Sequence, residues 1–159
     1  AEVPFMRPKE LATDTAKGID VVLHAMDQGK DMDVLILLQP TSPLRTVQDI
    51  DGAIEQWTES ESMVVGVTEV QKSPYWMYKI EENILVPLFK KINIANRQQL
   101  PVVYALNGAV YIGSYQTLRS NKGFIDEKTQ GYFIPVERAI DIDTEIDWKF
   151  TEYFVMHYK

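Results

Sequence analysis

The sequence contains no cysteine, which excludes disulfide cross-links and thiolate chemistry and leaves cysteine usage silent about the compartment. No apolar run approaches the length needed to cross a bilayer. Residues 1–11 are broken by charge and proline and show no signal-peptide pattern. There is no internal repeat and no low-complexity tract. Positive charge is in deficit: 16 Lys and Arg face 23 Asp and Glu, a formal net charge of −7. That balance argues against broad binding to nucleic acid or an anionic membrane, while a local basic site or a metal still allows an anionic ligand. No Ser-His-Asp order, zinc-ligand spacing or G-x-G-x-x-G fingerprint occurs. His24 and His157 fall on separate expected helices with no nucleophile nearby, and both read as structural.

What is present is ordinary globular material. The 159 residues are 45% hydrophobic and 25% charged, which fits one domain with a real core. The stretch at 33–45, DVLILLQPTSPLR, organises the chain. Its apolar run, Val34 to Leu38, reads as a strand buried on both faces. Pro40 and Pro43 then forbid helix and central strand alike, so the chain leaves the sheet as a stiff loop. Gln39, Thr41, Ser42 and Arg45 are thereby gathered past the carboxyl end of an interior strand, where open α/β sheets bind ligands.

Around that stretch the pattern alternates. Residues 1–10 carry Pro4 and Pro8 and should be extended. Thr13, Asp14 and Thr15 are good N-caps for a helix bearing Ile19, Val22, Leu23 and Met26, with Gly29 at its end. Thr46 and Asp49 form a capping box for a helix with Ile50, Ala53, Ile54 and Trp57 inward. Residues 63–70 are β-branched and predict a second strand, giving a right-handed parallel crossover. Residues 75–80 and 84–89 predict a hairpin turning at Glu81-Glu82-Asn83, inside an insertion over residues 71–104 whose aromatic Tyr75, Trp76 and Tyr78 fit a partner subunit or, almost equally, an arm folded back on its own domain. Asn107-Gly108 reads as a turn, followed by a strand at 109–112, a short helix at 114–119 and Phe124 in a loop. Residues 132–136 predict an edge strand, because Pro135 is tolerated only there. Residues 140–143 are extended, and Thr144 caps a last helix with Ile146, Phe150, Tyr153, Phe154 and His157 inward.

Asp141-Ile142-Asp143 is the sharpest chemical signal. Residues two apart in an extended segment point the same way, so two carboxylates at a helix mouth can hold a hard cation such as Mg2+, with Glu145 and Asp147 adding negative charge. The plain alternative is a solvated acidic strand end. Gln39, Thr41 and Ser42 are suited to a polyhydroxylated or phosphorylated ligand, or simply to satisfying loop backbone. Arg45 is suited to a phosphate or to Asp49. Tyr111 alternates with Val110 and reads equally as core.

Taken together, RPKELATDTAKGIDVVLHAM, LLQPTSPLR, NRQQLP, LNGAVYI and IDIDTEIDW resemble the acylneuraminate cytidylyltransferases, the CMP-sialic acid synthetases, across nearly the whole chain and in the family's order. The resemblance implies an α/β fold, a nucleotide-diphospho-sugar-transferase-like (Rossmann-like) three-layer sandwich, as one domain over 1–159 with a β-rich dimerisation arm at 71–104. It implies a cytoplasmic, homodimeric enzyme that converts CTP and a nine-carbon 2-keto sugar acid to the CMP-sugar and pyrophosphate, the anomeric hydroxyl attacking the α-phosphorus. Mg2+ would sit on Asp141 and Asp143. Arg7 and the backbone around Ala16 and Gly18 would hold the cytosine end. Gln39, Asn107 and Tyr111 would orient the sugar acid, with Thr41 nearby and Phe124 against its acyl group. Arg97 on the arm would pair with the carboxylate in the partner's sugar site.

The sequence departs from that family twice. The glycine- and lysine-bearing loop, A-R-x-x-S-K-G-like, does not occur in these residues, nor does anything before the RP motif. The resemblance therefore implies a fold lacking roughly its first third, its N-terminal strands included, and a chain that is inactive alone. Trp76 stands near where sialate-specific members carry a lysine; Lys72 or Lys79 is offered instead, leaving sialic, legionaminic and pseudaminic acids open. A 3-deoxy-manno-octulosonate cytidylyltransferase and a non-catalytic nucleotide-sugar binding or assembly module are the alternatives.

Overall fold

A computed structural model describes residues 5–29, 32–89 and 96–157. The expectations for residues 1–4 and 90–95 lie outside the described residues. In order the regular elements are α1 (Gly18–Gln28), β1 (Val34–Leu37), α2 (Val47–Ser60), β2 (Val64–Glu69), β3 (Tyr78–Glu81), β4 (Ile84–Pro87), β5 (Tyr104–Ser114), α3 (Tyr115–Asn121), β6 (Gln130–Phe133) and α4 (Glu145–His157).

A mixed four-stranded sheet in the order β1-β5-β2-β6 forms the middle layer. β5 runs antiparallel to both β1 and β2, and β6 pairs parallel with β2. β1 and β2 therefore point the same way, as a crossover requires, but they are not neighbours: β5 lies between them. One face packs Val22, Met26, Met63 and Leu118 beneath α1 and α3. The other packs Ala53, Val64, Ala109, Val110, Ile112 and Ile134 beneath α2. The result is helix, sheet, helix, the three-layer α/β arrangement.

β1 corrects an expectation. Its run of apolar residues reads as an interior strand, yet among the described residues it pairs only with β5 and lies at the sheet's edge. Leu35 and Leu37 are covered by the α1/α3 layer and Val34 by the α2 layer, but Ile36 is 39% exposed. α1 also differs. Its N-cap is Lys17, with no side-chain cap, because Thr13 and Thr15 bond each other and Ala16 N–H bonds Thr13 O in a preceding turn. Gly29 closes α1 at φ −81°, so no left-handed glycine is needed there.

Asn107-Gly108 is not a turn between elements. β5 runs straight through it, with Gly108 at φ +74° and the register with β2 broken between Val65 and Val67. This is a bulge, and glycine adopts the left-handed backbone there without a Cβ penalty. The hairpin β3–β4 forms with only Glu82-Asn83 in the turn, both at positive φ, the geometry that matches strand twist. β3 begins at Tyr78 because Pro74–Trp76 is a short 3-10 turn capped by Ser73. β6 lies at the sheet's edge as expected, but it spans Gln130–Phe133 and not residues 132–136: Pro135 falls beyond it, opening the Val136–Arg138 3-10 turn.

α4 also departs from the sequence pattern. Ile146, Phe150 and Tyr153 are 64%, 57% and 53% exposed, His157 is exposed and Phe154 is half-buried. Thr151 is instead its buried residue. The helix is apolar on nearly every side, so periodicity does not single out an inner face. The contact it makes is with the proline loop, across a recess lined by Pro40, Pro43, Ile142, Trp148 and Val155.

The α2 capping box forms as expected: Asp49 N–H donates to Thr46 Oγ1 at 3.3 Å and Thr46 N–H to Asp49 Oδ2 at 2.8 Å. The same carboxylate, 2% exposed, receives Arg138 Nε at 3.0 Å and Nη2 at 2.9 Å. Burial alone raises the Asp49 pKa, but the Arg138 and Thr46 hydrogen bonds and the Arg138 charge more than offset it, and the net shift is downward. A depressed carboxyl contributes stability that is present above its unfolded pKa, about 3.9, and lost as pH falls through the lower folded value. Asp49→Asn is expected to cost roughly 2 kcal/mol at neutral pH and to flatten the acid limb of a melting-temperature-against-pH profile below about pH 4. An unchanged acid limb would show that the pair contributes nothing.

Candidate functional site

The proline loop after β1 and the bulge in β5 meet at Gly108, which is buried. A Cβ there would lie 3.1 Å from Ser42 Oγ and 3.4 Å from Asp141 Oδ2, with Gln39 Oε1 nearer still. Three chain segments, all distant in sequence, thus converge where only hydrogen fits. Ser42 is fully buried and its hydroxyl donates to Asn107 O at 3.3 Å, so it ties the loop to the bulge. Thr41 contributes its carbonyl, which accepts Ile142 N–H at 2.8 Å. That bond suspends the Asp141–Asp143 segment from the proline loop.

Arg45 does not pair with Asp49, whose carboxylate is held by Arg138. The Arg45 Nη1 faces backbone carbonyls: Gln39 O at 2.6 Å, Ser42 O at 3.0 Å and Ala109 O at 3.3 Å. Partial burial lowers its pKa, and no ion pair among the described residues includes it.

Asp141 is half-buried, and its Oδ1 is buried with no hydrogen-bond partner among the described residues. A buried carboxylate oxygen left alone is unfavourable, and a cation is the ordinary remedy. Its negative charge also reaches Tyr111: burial first, and Asp141 second, push the phenol pKa up, so Tyr111 stays a hydrogen-bond donor. The Phe124 ring lies 5.1 Å from that of Tyr111, and Phe124 packs in turn against the α1/α3 cluster. Gln39, Gly108, Tyr111, Phe124 and Asp141 therefore form one connected set of neighbours.

Asp143 is exposed, and its N–H donates to Asp147 Oδ2 at 3.3 Å. Asp147 and Glu145 do not join a metal cluster. Asp147 is held below the usual carboxylate range by hydrogen bonds from Thr144, and Glu145 pairs with Lys149 at 2.9 Å. No group of three or more His, Cys, Asp or Glu with metal-holding geometry occurs among the described residues. Asp141 and Asp143 fit a cation that draws its other ligands from water or phosphate, which is the habit of Mg2+.

Asn107 is buried beside the cluster. Its Oδ1 accepts Ala109 N–H at 3.1 Å and would sit 2.5 Å from a Cβ on Gly66, while Nδ2 is buried without a partner. Arg7, Ala16 and Gly18 lie on the segment entering α1, and no hydrogen bond among the described residues links them to the Gly108 cluster. Arg7 is exposed, Ala16 spends its N–H on Thr13 O, and Gly18 opens the helix with nothing within 4 Å of its Cβ position. Arg97 begins a 3-10 turn at the foot of the hairpin insertion. The histidines are structural: His24 lies edge-on to Phe5, and His157 stacks on Tyr153.

Sequence reasoning missed the part played by Gly108 and Arg45. The signal was available for Gly108, since a glycine in a β-branched strand marks a bulge or a close approach. Nothing in residue types foretold that Arg45 would serve carbonyls.

This arrangement has known counterparts. A solved structure of CMP:2-keto-3-deoxy-manno-octonic acid synthetase complexed with CTP matches with a TM-score of 0.64 over 92% of this chain and 70% of that one, at 9% identity. The fold is thus that of the nucleotide-sugar synthetases. No protein-family profile matches the chain. The CMP-N,N'-diacetyllegionaminic acid synthase of Legionella pneumophila is 36% identical over 96% of this chain and 68% of its own length. The N-acylneuraminate cytidylyltransferase of Streptococcus agalactiae is 31% identical over 90% of this chain and 35% of its own length. The pseudaminic acid cytidylyltransferase of Campylobacter jejuni is 27% identical over 96% and 68%. The chain belongs to the acylneuraminate cytidylyltransferase family, a family of nucleotidyltransferases.

Gly108→Ala is expected to place a methyl group against Gln39 and Ser42 at a positive φ and to destabilise the fold by roughly 1–3 kcal/mol, measured by denaturant unfolding. Gly123→Ala, in an exposed loop with its nearest contact at 3.9 Å, is the control and should change little. Equal losses in the two would remove the close-approach argument.

Proposed function

We propose that these residues form the sugar-acid and metal side of a cytidylyltransferase that joins CMP from CTP to a nine-carbon 2-keto sugar acid, releasing pyrophosphate. The supporting observation is the buried, unpartnered Asp141 oxygen beside Gln39 and the side-chain-free Gly108. No covalent nucleophile is required, because phosphoryl transfer rests on positioning and charge neutralisation. Gln39 and Tyr111 bind and orient the sugar acid so that its anomeric hydroxyl faces the α-phosphorus, with Thr41 at the rim. Phe124, its ring tilted against that of Tyr111, takes the acyl group. Asn107 supports the bulge and offers its unpaired Nδ2 to the sugar acid. Arg7 and the backbone at Ala16 and Gly18 bind the cytosine end. Asp141 and Asp143 would hold Mg2+, which when bound offsets negative charge on the triphosphate and the departing pyrophosphate.

The relatives' names span diacetyllegionaminic, acylneuraminic and pseudaminic acids, which favours the nonulosonic class over 3-deoxy-manno-octulosonate. The cytoplasm, where nucleoside triphosphates are made, is the proposed compartment.

Calorimetry of the chain with CTP and Mg2+ tests the metal assignment. Asp141→Asn is expected to weaken metal-dependent binding by at least about tenfold. Without metal the same variant is expected to melt at an equal or higher temperature, since it removes a buried unpaired charge. A variant that binds normally, or one that simply unfolds, counts against the assignment. Because the A-R-x-x-S-K-G-like loop does not occur in these residues, CMP-sugar synthesis by the chain alone is expected to be undetectable.

The hairpin insertion supports a homodimer. Among the described residues β3 and β4 pair only with each other, and Met77, Ile80, Ile84, Leu85, Leu88 and Phe89 are all at least 41% exposed. A second copy of the chain would cover this surface, with Arg97 reaching the neighbouring sugar site and pairing with the substrate carboxylate. Ile80→Glu with Leu85→Glu is expected to halve the mass measured by light scattering. An unchanged mass would place the contact elsewhere.

A further inference from the structure

Arg45 meets no carboxylate among the described residues, yet it lies where the site's three segments cross. Its Nη1 reaches Gln39 O at 2.6 Å and Ser42 O at 3.0 Å on the proline loop, and Ala109 O at 3.3 Å on β5. The loop it grips presents Thr41 O to Ile142 N–H at 2.8 Å, and Ile142 separates the two site aspartates. The path from guanidinium to acidic pair is thus a backbone chain: Arg45 to the carbonyls of the loop, and the loop's own carbonyl to the amide between Asp141 and Asp143.

We infer that Arg45 is the positioning residue of this site, a cation that clamps the proline loop to the β5 bulge and thereby sets where Gln39 and the Asp141–Asp143 pair stand. The inference rests on the reading of Asp141 and Asp143 as the acidic pair of a cytidylyltransferase. Arginine suits the task because its charge persists after partial burial and its rigid plane holds the two N–H groups of Nη1 in a fixed direction among the three carbonyls. Ser42 makes a second tie between loop and bulge, its hydroxyl donating to Asn107 O at 3.3 Å, and Arg45 adds the reach to Ala109 O one residue past Gly108. Lysine, a point charge on a flexible stem, would satisfy some of these carbonyls without fixing their relative position.

The clamp has its own reporters, independent of any ligand. Ser42 N–H donates to Gln39 O, Ala109 N–H to Asn107 Oδ1, and Ile142 N–H to Thr41 O. Residue-resolved amide hydrogen exchange on the intact chain reads all of them. Arg45→Met, which keeps the stem, is expected to speed exchange at Ser42, Ala109 and Ile142 by about tenfold or more beyond the change at core amides such as Val64. Arg45→Lys is expected to fall between Met and wild type. Val22→Ala, which opens the α1/α3 layer far from the clamp, controls for general loosening and should speed core and reporter amides alike. If Arg45→Met leaves Ile142 protected, or raises all amides in the same proportion as Val22→Ala, the positioning role is wrong. The measurement contains no CTP and no metal, so its failure is separate from failure of the functional assignment, which calorimetry with Asp141→Asn decides.

Discussion

The structure depends on one steric fact: at Gly108 a strand, a loop and an acidic segment meet in a space that admits no side chain. The bulge at Asn107-Gly108 lets β5 continue through the sheet while bending locally toward the proline loop. That approach brings residues from four parts of the sequence within reach of one another. Ser42 and Arg45 bond the approach in place through the backbone, and the apolar cores on either side hold β5 itself. Function in this fold is therefore written into carbonyl positions as much as into side chains.

Electrostatics add a second constraint. With a net charge of −7, binding the triphosphate and carboxylate sugar proposed above would need local positive charge at the point of contact. Arg45 is engaged with carbonyls, and Arg138 is engaged with Asp49. The unpaired Asp141 oxygen shows the opposite polarity, a site short of positive charge. Acid and substrate anion would repel unless a divalent ion lies between them. The raised Tyr111 phenol fits the same field, staying protonated and able to donate.

Much of this architecture was legible in the sequence, for physical reasons that differ by element. The Thr46/Asp49 capping box, the Ser114 start of α3 and the hairpin around Glu82-Asn83 are local chemistry, and all are present. Where long-range pairing decides, reading the chain in order was insufficient. β5 inserts between β1 and β2 although Tyr104 follows Leu37 by 67 residues, a separation no short window of the sequence spans. α4 defeats periodicity because it is apolar almost all round. The candidate site divides the same way. Gln39, Tyr111, Phe124 and Asp141 were named from motifs and are brought together; Gly108 and Arg45 act through close approach and backbone carbonyls, which residue type does not advertise.

The outer margin of β1 carries a further consequence. Among the described residues the amides and carbonyls of Val34–Leu37 on that side have no sheet neighbour, and the strand beside them is an uninterrupted aliphatic ribbon with no proline or lysine to blunt it. Such a ribbon is a template for strand addition by any extended chain, itself included. Colloidal behaviour of these residues in concentrated solution should accordingly be governed by β1, through growth by backbone pairing, and not by the aromatic hairpin on the opposite flank of the sequence.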